Sequence, residues 1–412
     1  MSPARPHHRS SITLGFVLAF FIWLAVSPQP APAFKVAAAG DVSCPRDVTD
    51  SHEGEWIEPG RSLAQMKCQA RPVGDMIAAE EPFFTIAAGD LIQGQNAVAS
   101  AYRDFDWAWA PLGEAIMPTL GNHDQQRNPE GPRTADGYFD YWEGQGARPW
   151  KIGHREEGWS SWNAGTWHMI NLNSNCHVAD CTLTGPQLRW LVNDLKEDRK
   201  NPETKCTMAY FHHPLFSSGS ARGRSGDKML VSNFWELLYR YRADIVVTGH
   251  QHFYERYLPQ NPSGKYDPTG ITQFITGTGG ASTFHPEGKQ RRPAVNSASS
   301  VRALGATFFQ LGSSGFRWQF KTVTGKVRDK AQERVDCHDR NEGQVQRKVR
   351  AERYTARMGR LRELKRKAVR VSTRIRRMKR RDAAPARIRK AKVRLAKVRT
   401  ARVRLTYKPL YR

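Results

Sequence analysis

A chain of 412 residues with 39% hydrophobic side chains is long enough and apolar enough to bury a sizeable core, which excludes a wholly disordered or fibrous polypeptide. Its formal net charge of +25 is not spread over the molecule: beyond Cys337 there are 29 Lys and Arg against 5 Asp and Glu, and the first 337 residues are nearly neutral. The basic character belongs to a tail, and the body before it reads as an ordinary folded enzyme or binding domain.

Residues 1–33 read as a secretory leader. Arg5 and Arg9 precede an apolar run from Ile12 to Val26, and Ala31-Pro32-Ala33 offers a small-residue cleavage site, so a mature start near Phe34 is expected. The alternative is an uncleaved membrane anchor, since the run is only slightly short of a span. In either case the rest of the chain is expected outside the cytoplasm, where six cysteines favour disulfides over thiolate sites. Cys176 with Cys181 is the first pairing expected, Cys44 with Cys68 the second, and Cys206 with Cys337 remains by elimination. Six cysteines allow about fifteen connectivities, so sequence alone leaves the alternatives open.

Phe34 to Ala39 and Phe83 to Ala88 are short apolar runs ending in Gly40-Asp41 and Gly89-Asp90. Runs of this kind, bounded by glycine, predict buried strands, each delivering a carboxylate to the crevice beyond its end. Helices are predicted around Ser62 to Ala79 and Val98 to Ala115. Leu188, Leu191, Val192 and Leu195 fall on one helical face behind Thr184 and Gln187, which have capping-box spacing; Phe234, Leu237, Leu238 and Tyr241 repeat the face behind Asn233 and Glu236. Strands at Thr207 to Phe211 and Asp244 to Thr248 then run into His212-His213-Pro214 and Gly249-His250-Gln251-His252. Further strands are expected at Ile271 to Ile275, Ala306 to Leu311 and Phe316 to Val323. Gly277, Gly279 and Gly280 predict a bend, with a role at a site rim as the alternative.

Asp41, Asp90, Asn122, His123, His212, His250 and His252 are oxygen and imidazole groups suited to Mn, Fe or Zn. A pair of ions about 3.5–4 Å apart needs one shared carboxylate and separate donors on each side, which this set can supply. In chain order the blocks are Gly40-Asp41, Gly89-Asp90, Gly121-Asn122-His123, His212-His213-Pro214 and Gly249-His250-Gln251-His252. The ordered set resembles the calcineurin-like metallophosphoesterases, a group that includes the purple acid phosphatases, over roughly residues 34–337. Leu172-Asn173-Ser174-Asn175-Cys176 and Gly249 to Arg256 resemble phrases of an exported bacterial branch.

The resemblance implies an α/β fold: a calcineurin-like β-sandwich flanked by helices. It implies Asp41 and His252 on a first metal, Asp90 as the bridge, and Asn122, His212 and His250 on a second. It further implies His123 beside the phosphate, as a charge stabiliser or proton donor, and hydrolysis of a phosphate ester by a metal-activated hydroxide. His213 is expected in a supporting or pocket position, and Asp124 is expected to orient His123 or cap its turn. His154, His168, His177, His285 and His338 match no block and are read as surface or structural histidines. Two positions depart from the family pattern. Ser43 stands where many members have histidine, and Gln93 where purple acid phosphatases have a tyrosine ligand, so the first metal has fewer protein donors and no purple colour is expected.

Beyond Cys337, Tyr354, Leu361, Leu364, Ala368, Val371, Ile375 and Met378 keep helical spacing. Residues 381–385 interrupt it, and Ile388, Ala391, Leu395, Val398 and Leu405 renew it. Two basic helices and a turn are one reading, a tail that is helical only when neutralised the other. Either form would attract nucleic acid, anionic lipid or acidic cell-envelope polymer.

The sequence therefore predicts a signal peptide at 1–33, a metallophosphoesterase domain at 34–337 and a basic tail at 338–412. The expected protein is an exported phosphoesterase, with monoesters as the first reading and a phosphodiesterase or nuclease, or a non-catalytic polyanion-binding protein with a degenerate metal site, as alternatives. Its oligomeric state is not predicted.

Overall fold

Strand β1, Phe34–Ala39, shows how the architecture follows from the period of a strand. Val36 and Ala38 turn to one buried cluster while Ala37 and Ala39 turn to another, so both faces of β1 are covered. A central strand buried on both sides has to be apolar throughout, which is why the run is continuous and not alternating. The computed structural model describes residues 33–43, 69–93, 97–126, 133–219, 225–281, 294–339, 360, 363, 364, 366–378 and 385–407.

β1 pairs in parallel with β2 (Phe84–Ala87), and β2 in parallel with β3 (Ile116–Pro118). On its other side β1 pairs antiparallel with β11 (Gly305–Gly312), which continues to β12 (Gly315–Thr322) and β13 (Val327–Lys330); β14 (Val335–Asp336) also joins β12. The second seven-stranded sheet has the order β10-β8-β9-β7-β6-β5-β4. Its strands are β4 (Ser160–Ala164), β5 (Trp167–Asn171), β6 (Cys206–Tyr210), β7 (Ile245–Thr248), β8 (Tyr254–Tyr257), β9 (Thr272–Thr276) and β10 (Ser297–Val301). Of these, β5, β6, β7 and β9 run parallel.

The two sheets meet face to face. Val36, Phe84 and Phe309 from the first interdigitate with Trp167, Met208, Val247 and Phe274 from the second in one buried cluster. Helices α1 (Ala70–Ala78), α2 (Arg103–Trp109) and α3 (Asp136–Gly144) bury their apolar stripes on the outer face of the first sheet. Helices α5 (Pro186–Asp198) and α6 (Ser225–Arg240) do so on the second, and α4 (Pro149–Ile152) is a single turn between α3 and β4. The result is the expected α/β sandwich of two sheets between helical layers.

The expected strands form within one or two residues of their predicted ends. The helix expected at Val98 to Ala115 is shorter: only Arg103–Trp109 is α-helical, between two 3-10 turns. Neither expected capping box forms. Gly185 caps α5, and Gln187 is buried, its Oε1 accepting from Asn173 N at 2.8 Å and its Nε2 donating to Asn173 O at 2.9 Å. Helix α6 begins well before Asn233, whose Nδ2 donates to Cys181 O at 2.9 Å.

Two expected disulfides are present. Cys176–Cys181 closes a short loop, and Cys206–Cys337 ties β6 of one sheet to the residue following β14 of the other. Cys44 and Cys68, the leader at 1–32 and the tail break at 379–384 lie outside the described residues. Residues 366–378 (α7) and Pro385–Tyr407 (α8) are helical. Leu364, Ala368, Val371, Met378, Ile388, Ala391 and Leu395 are half-buried and Ile375 and Val398 buried, whereas Arg366, Lys367, Arg370, Arg387, Lys392 and Lys397 are exposed. Tyr354 and Leu361 lie outside the described residues, as does the side chain of Leu405. Among the described residues no helix is long and apolar enough to cross a membrane.

Candidate metal centre

All seven predicted site residues lie just beyond the C-terminal ends of parallel strands. Asp41 follows β1, Asp90 follows β2, and Asn122 and His123 follow β3; His212 follows β6, and His250 and His252 follow β7. Both sheets thus contribute to one crevice, as open parallel sheets do at the ends of their strands.

The backbone there is unusual. Asp41, Asp90 and His250 have φ of +57°, +51° and +69°, a left-handed conformation that costs free energy in side-chain-bearing residues and persists only where its surroundings enforce it. Bonds from Asp41 N to Gly89 O, Val42 N to Asp90 O and Ser43 N to Leu91 O lock the first two loops side by side. Gly121 packs against the second loop: a Cβ there would fall 2.1 Å from Asp90 N. Gly277 is required on the Asp41 side, where a Cβ would fall 2.6 Å from Asp41 Oδ2, while Gly279 N bonds Gly40 O and Ala281 N bonds Asp41 O. The glycine-rich stretch expected to be only a bend is therefore a wall of the site.

The polar atoms converge in two groups. Asn122 Oδ1 is 3.1 Å from His212 Nε2 and 2.9 Å from His250 Nδ1, and those two nitrogens are 3.3 Å apart. Asp90 Oδ2 lies 3.1 Å from His212 Nε2, and Asp90 Oδ1 accepts the His123 N–H at 2.7 Å. In the second group Asp41 Oδ1 is 3.1 Å from His252 Nε2, while Asp41 Oδ2 accepts the His250 N–H at 2.8 Å. Candidate ligand atoms of Asp41, Asp90 and His212 lie within 4.8 Å of one another.

Hydrogen-bond accounting tests whether metal ions fit. His212 Nδ1 is 2.9 Å from Ala88 O, which can only accept, so Nδ1 carries a proton. In the neutral ring Nε2 then turns a lone pair towards Asn122 Oδ1 and Asp90 Oδ2, which are acceptors as well. Convergent lone pairs in a buried pocket are satisfied by a cation, and an imidazole whose other nitrogen binds a backbone carbonyl is a common metal ligand. A proton can take the cation's place: burial pulls His212 down, yet the Asp90 and Asp41 carboxylates hold it up at about 9. Burial and the charge of His212 push His250 down to about 4. Burial pushes Asp90 up, but His212 and His123 outweigh it and keep Asp90 below the ordinary carboxylate range. Among the described residues the buried Asp41 Oδ1 has no hydrogen-bond partner. The donor set fits borderline divalent or trivalent metals.

The positions that depart from the family pattern are also placed. Ser43 donates its hydroxyl to Leu91 O at 2.6 Å, and among the described residues the buried Nε2 of Gln93 has no hydrogen-bond partner. Asp124 caps its turn, accepting from Gly121 N at 2.8 Å, Leu91 N at 3.1 Å and Tyr102 Oη at 3.2 Å. Burial and the neighbouring Asp90 push its carboxyl up to about 7. His168 sits between Asn163 and Asp194, His338 lies against Asp244, His177 reaches Gln125 at 3.0 Å, and His154 is exposed; His285 lies outside the described residues. Sequence reasoning missed Ser174, which bonds His213, and Tyr102. The Leu172 to Cys176 phrase was the only signal for Ser174, and it named no role. Cys206, Asp244 and Cys337 also cluster, but the two sulfurs are bonded to each other.

Comparisons with known proteins bear on the family and the fold. Purple acid phosphatase 18 of Arabidopsis thaliana is 32% identical over 196 residues, covering 44% of this chain and 41% of the relative. Acid phosphatase type 7 of Mus musculus is 27% identical over 215 residues, covering 46% and 45%. The chain spans less than half the length of these relatives. Among solved structures, a purple acid phosphatase from yellow lupin (Lupinus luteus) seeds superposes with a TM-score of 0.54 at 18% identity, over 74% of this chain and 54% of that one. GAP50, the anchor in the inner membrane complex of Plasmodium, gives 0.51 at 14%, over 75% and 90%. At such identities these likenesses speak for the fold alone. The calcineurin-like phosphoesterase model matches residues 35–254, more than half of the chain, and the chain belongs to the calcineurin-like phosphoesterase family.

Proposed function

We propose that this chain hydrolyses phosphate esters, monoesters first, at a centre of two metal ions. The observation that carries the reading is the convergence of four metal-capable side chains, Asp90, Asn122, His212 and His250, on one point of the crevice. Asp41 and His252 flank a second point, with Asp90 between the two. Asp41 and His252 would hold the first ion, Asn122, His212 and His250 the second, and Asp90 both. When bound, such ions polarise phosphoryl oxygens and lower the pKa of water.

The chain's own groups do the positioning. Asp124 clamps Gly121 and Leu91, fixing the turn that carries Asn122 and His123. The His123 backbone N–H bonds Asp90 Oδ1, which ties that residue to the shared carboxylate; its imidazole is the group that would supply a proton to the leaving oxygen. General acid catalysis of this kind contributes about 10²–10⁴-fold.

The exposed Lys and Arg of α7 and α8 favour a second, compatible role, tethering the enzyme to acidic cell-envelope polymer; anionic lipid and nucleic acid are the competing partners. A diesterase acting on such a polymer is the second catalytic reading. Export rests on the leader-like first 33 residues together with the two disulfides. The test is turnover of 4-nitrophenyl phosphate against bis(4-nitrophenyl) phosphate after restoring Mn, Fe or Zn. Faster monoester turnover is expected; faster diester turnover would replace the monoester reading, and none on either would end the enzymatic one.

A further inference from the structure

The adjacent histidines of His212-His213-Pro214 do different work. His213 is 6% exposed, and its ring centroid lies 4.6 Å from that of His250 and 4.9 Å from that of His212. A ring nitrogen of each of the three lies within 4.8 Å of the others. Proximity alone would make His213 a further metal ligand, but its hydrogen bonds argue otherwise.

Ser174 Oγ accepts the His213 backbone N–H at 2.9 Å and lies 2.9 Å from His213 Nδ1. Ser174 is fully buried, and among the described residues Nδ1 is the one acceptor its hydroxyl proton can reach. The hydroxyl therefore donates to Nδ1, and in the neutral ring the proton must sit on Nε2. The opposite tautomer would leave a buried hydroxyl proton unsatisfied. The loop carrying Ser174 is itself held, by the paired bonds between Asn173 and Gln187 and by the Cys176–Cys181 disulfide. Among the described residues the hydrogen bonds of His213 are those to Ser174, so its Nε2–H is left for another acceptor, on a ring whose centroid lies 4.6 Å from that of His250.

We propose that His213 donates this Nε2–H to an oxygen of the bound phosphoester, and that Ser174 is the positioning residue that sets its tautomer. The inference deepens the phosphoesterase reading and rests on it. It gives the disulfide-closed loop, which no other part of the mechanism uses, a role in substrate binding.

The test combines three readouts on the full chain. Nitrogen-15 NMR of the metal-free protein should show His213 as the Nε2–H tautomer, and Ser174→Ala should remove that preference. In metal-loaded protein, His213→Ala should weaken binding of inorganic phosphate by about tenfold or more and lower kcat/KM by about 100-fold, with metal content as in the wild type. His213→Gln, which can present an N–H at similar reach, should recover most of the loss. Ser174→Ala should cost less, and nothing further in the His213→Ala background. Loss of one metal in His213→Ala would make His213 a ligand and overturn the proposal, as would unchanged phosphate affinity. Wild-type protein that binds phosphate through His213 without turning over any phosphoester would sink the catalytic reading and leave this one standing.

Discussion

Asn122 and His123 are adjacent, yet the proposed function gives them separate work. Asn122 Oδ1 lies within 3.1 Å of two imidazole nitrogens, whereas the His123 backbone N–H bonds Asp90 Oδ1 and the proposed function assigns its imidazole to the substrate. Asn122→Ala is expected to weaken the second ion by at least about 10–100-fold, the loss typical even of groups one shell further out. His123→Ala should lower kcat by about 10²–10⁴-fold with both ions still bound. Isothermal titration with metal, set beside steady-state kinetics, separates the two; parallel losses of metal in both variants would erase the distinction. Most of this was legible in the sequence, because glycine-bounded strands ending in Asp or His announce where side chains project. The missing parts were not. Ser174 has no pattern of its own, and the fit of Gly277 against Asp41 depends on a contact between residues distant in the chain.

At the scale of elements, the strand leaving the metal loop is clamped to the opposite sheet. Arg256 on β8 makes a two-point ion pair with Asp329 on β13, at 2.6 and 3.2 Å, and its guanidinium stacks 4.6 Å over Trp318 on β12. Tyr254 Oη at 2.7 Å and Trp318 Nε1 at 3.1 Å complete the acceptor capacity of Asp329. Breaking a largely buried pair from one side leaves an uncompensated charge, so Asp329→Ala should destabilise the protein by about 3–5 kcal/mol. Burial pushes Asp329 up, but the bonds from Arg256 and the other donors prevail and hold it below its ordinary 3.8. A carboxyl depressed in the folded state stabilises above its unfolded pKa, and that contribution is lost as pH falls through the lower folded value. Thermal melts should therefore show the wild type losing Tm below about pH 4 more steeply than Asp329→Asn; identical acid profiles would remove Asp329 from the clamp.

The elements that sequence reasoning found and missed divide on the same physical ground. Continuous apolar runs such as Phe34–Ala39 were plain, whereas Ser160–Ala164 at a sheet edge and the charged Val327–Lys330 carry no apolar period. The capping boxes failed because tertiary contacts claimed the residues: Gln187 holds the Asn173 backbone, and Asn233 lies inside α6.

The whole molecule separates a nearly neutral body from a tail that carries almost all of the net charge. The described part of the tail is helical, with its apolar stripe the less exposed face and its cations outward. A helix whose apolar residues are partly covered has little face to insert into a bilayer, which favours an acidic polymer over lipid as the partner. Deleting residues 340–412 should abolish salt-sensitive retention on an acidic polymer matrix while changing kcat/KM on a small monoester less than about twofold. Retention unchanged at low salt would remove the tether.

The central claim is that two ions, held by Asp41, Asp90, Asn122, His212, His250 and His252, make this chain a phosphoesterase. The most direct measurement is turnover of 4-nitrophenyl phosphate, followed while metal-free protein is titrated with Mn, Fe or Zn and bound metal is counted by mass spectrometry. Activity should rise to its maximum as the second ion binds each chain, and Asp90→Ala should abolish both the stoichiometry and the turnover. Full activity at one ion per chain, or two bound ions without hydrolysis of any phosphoester, would contradict the account.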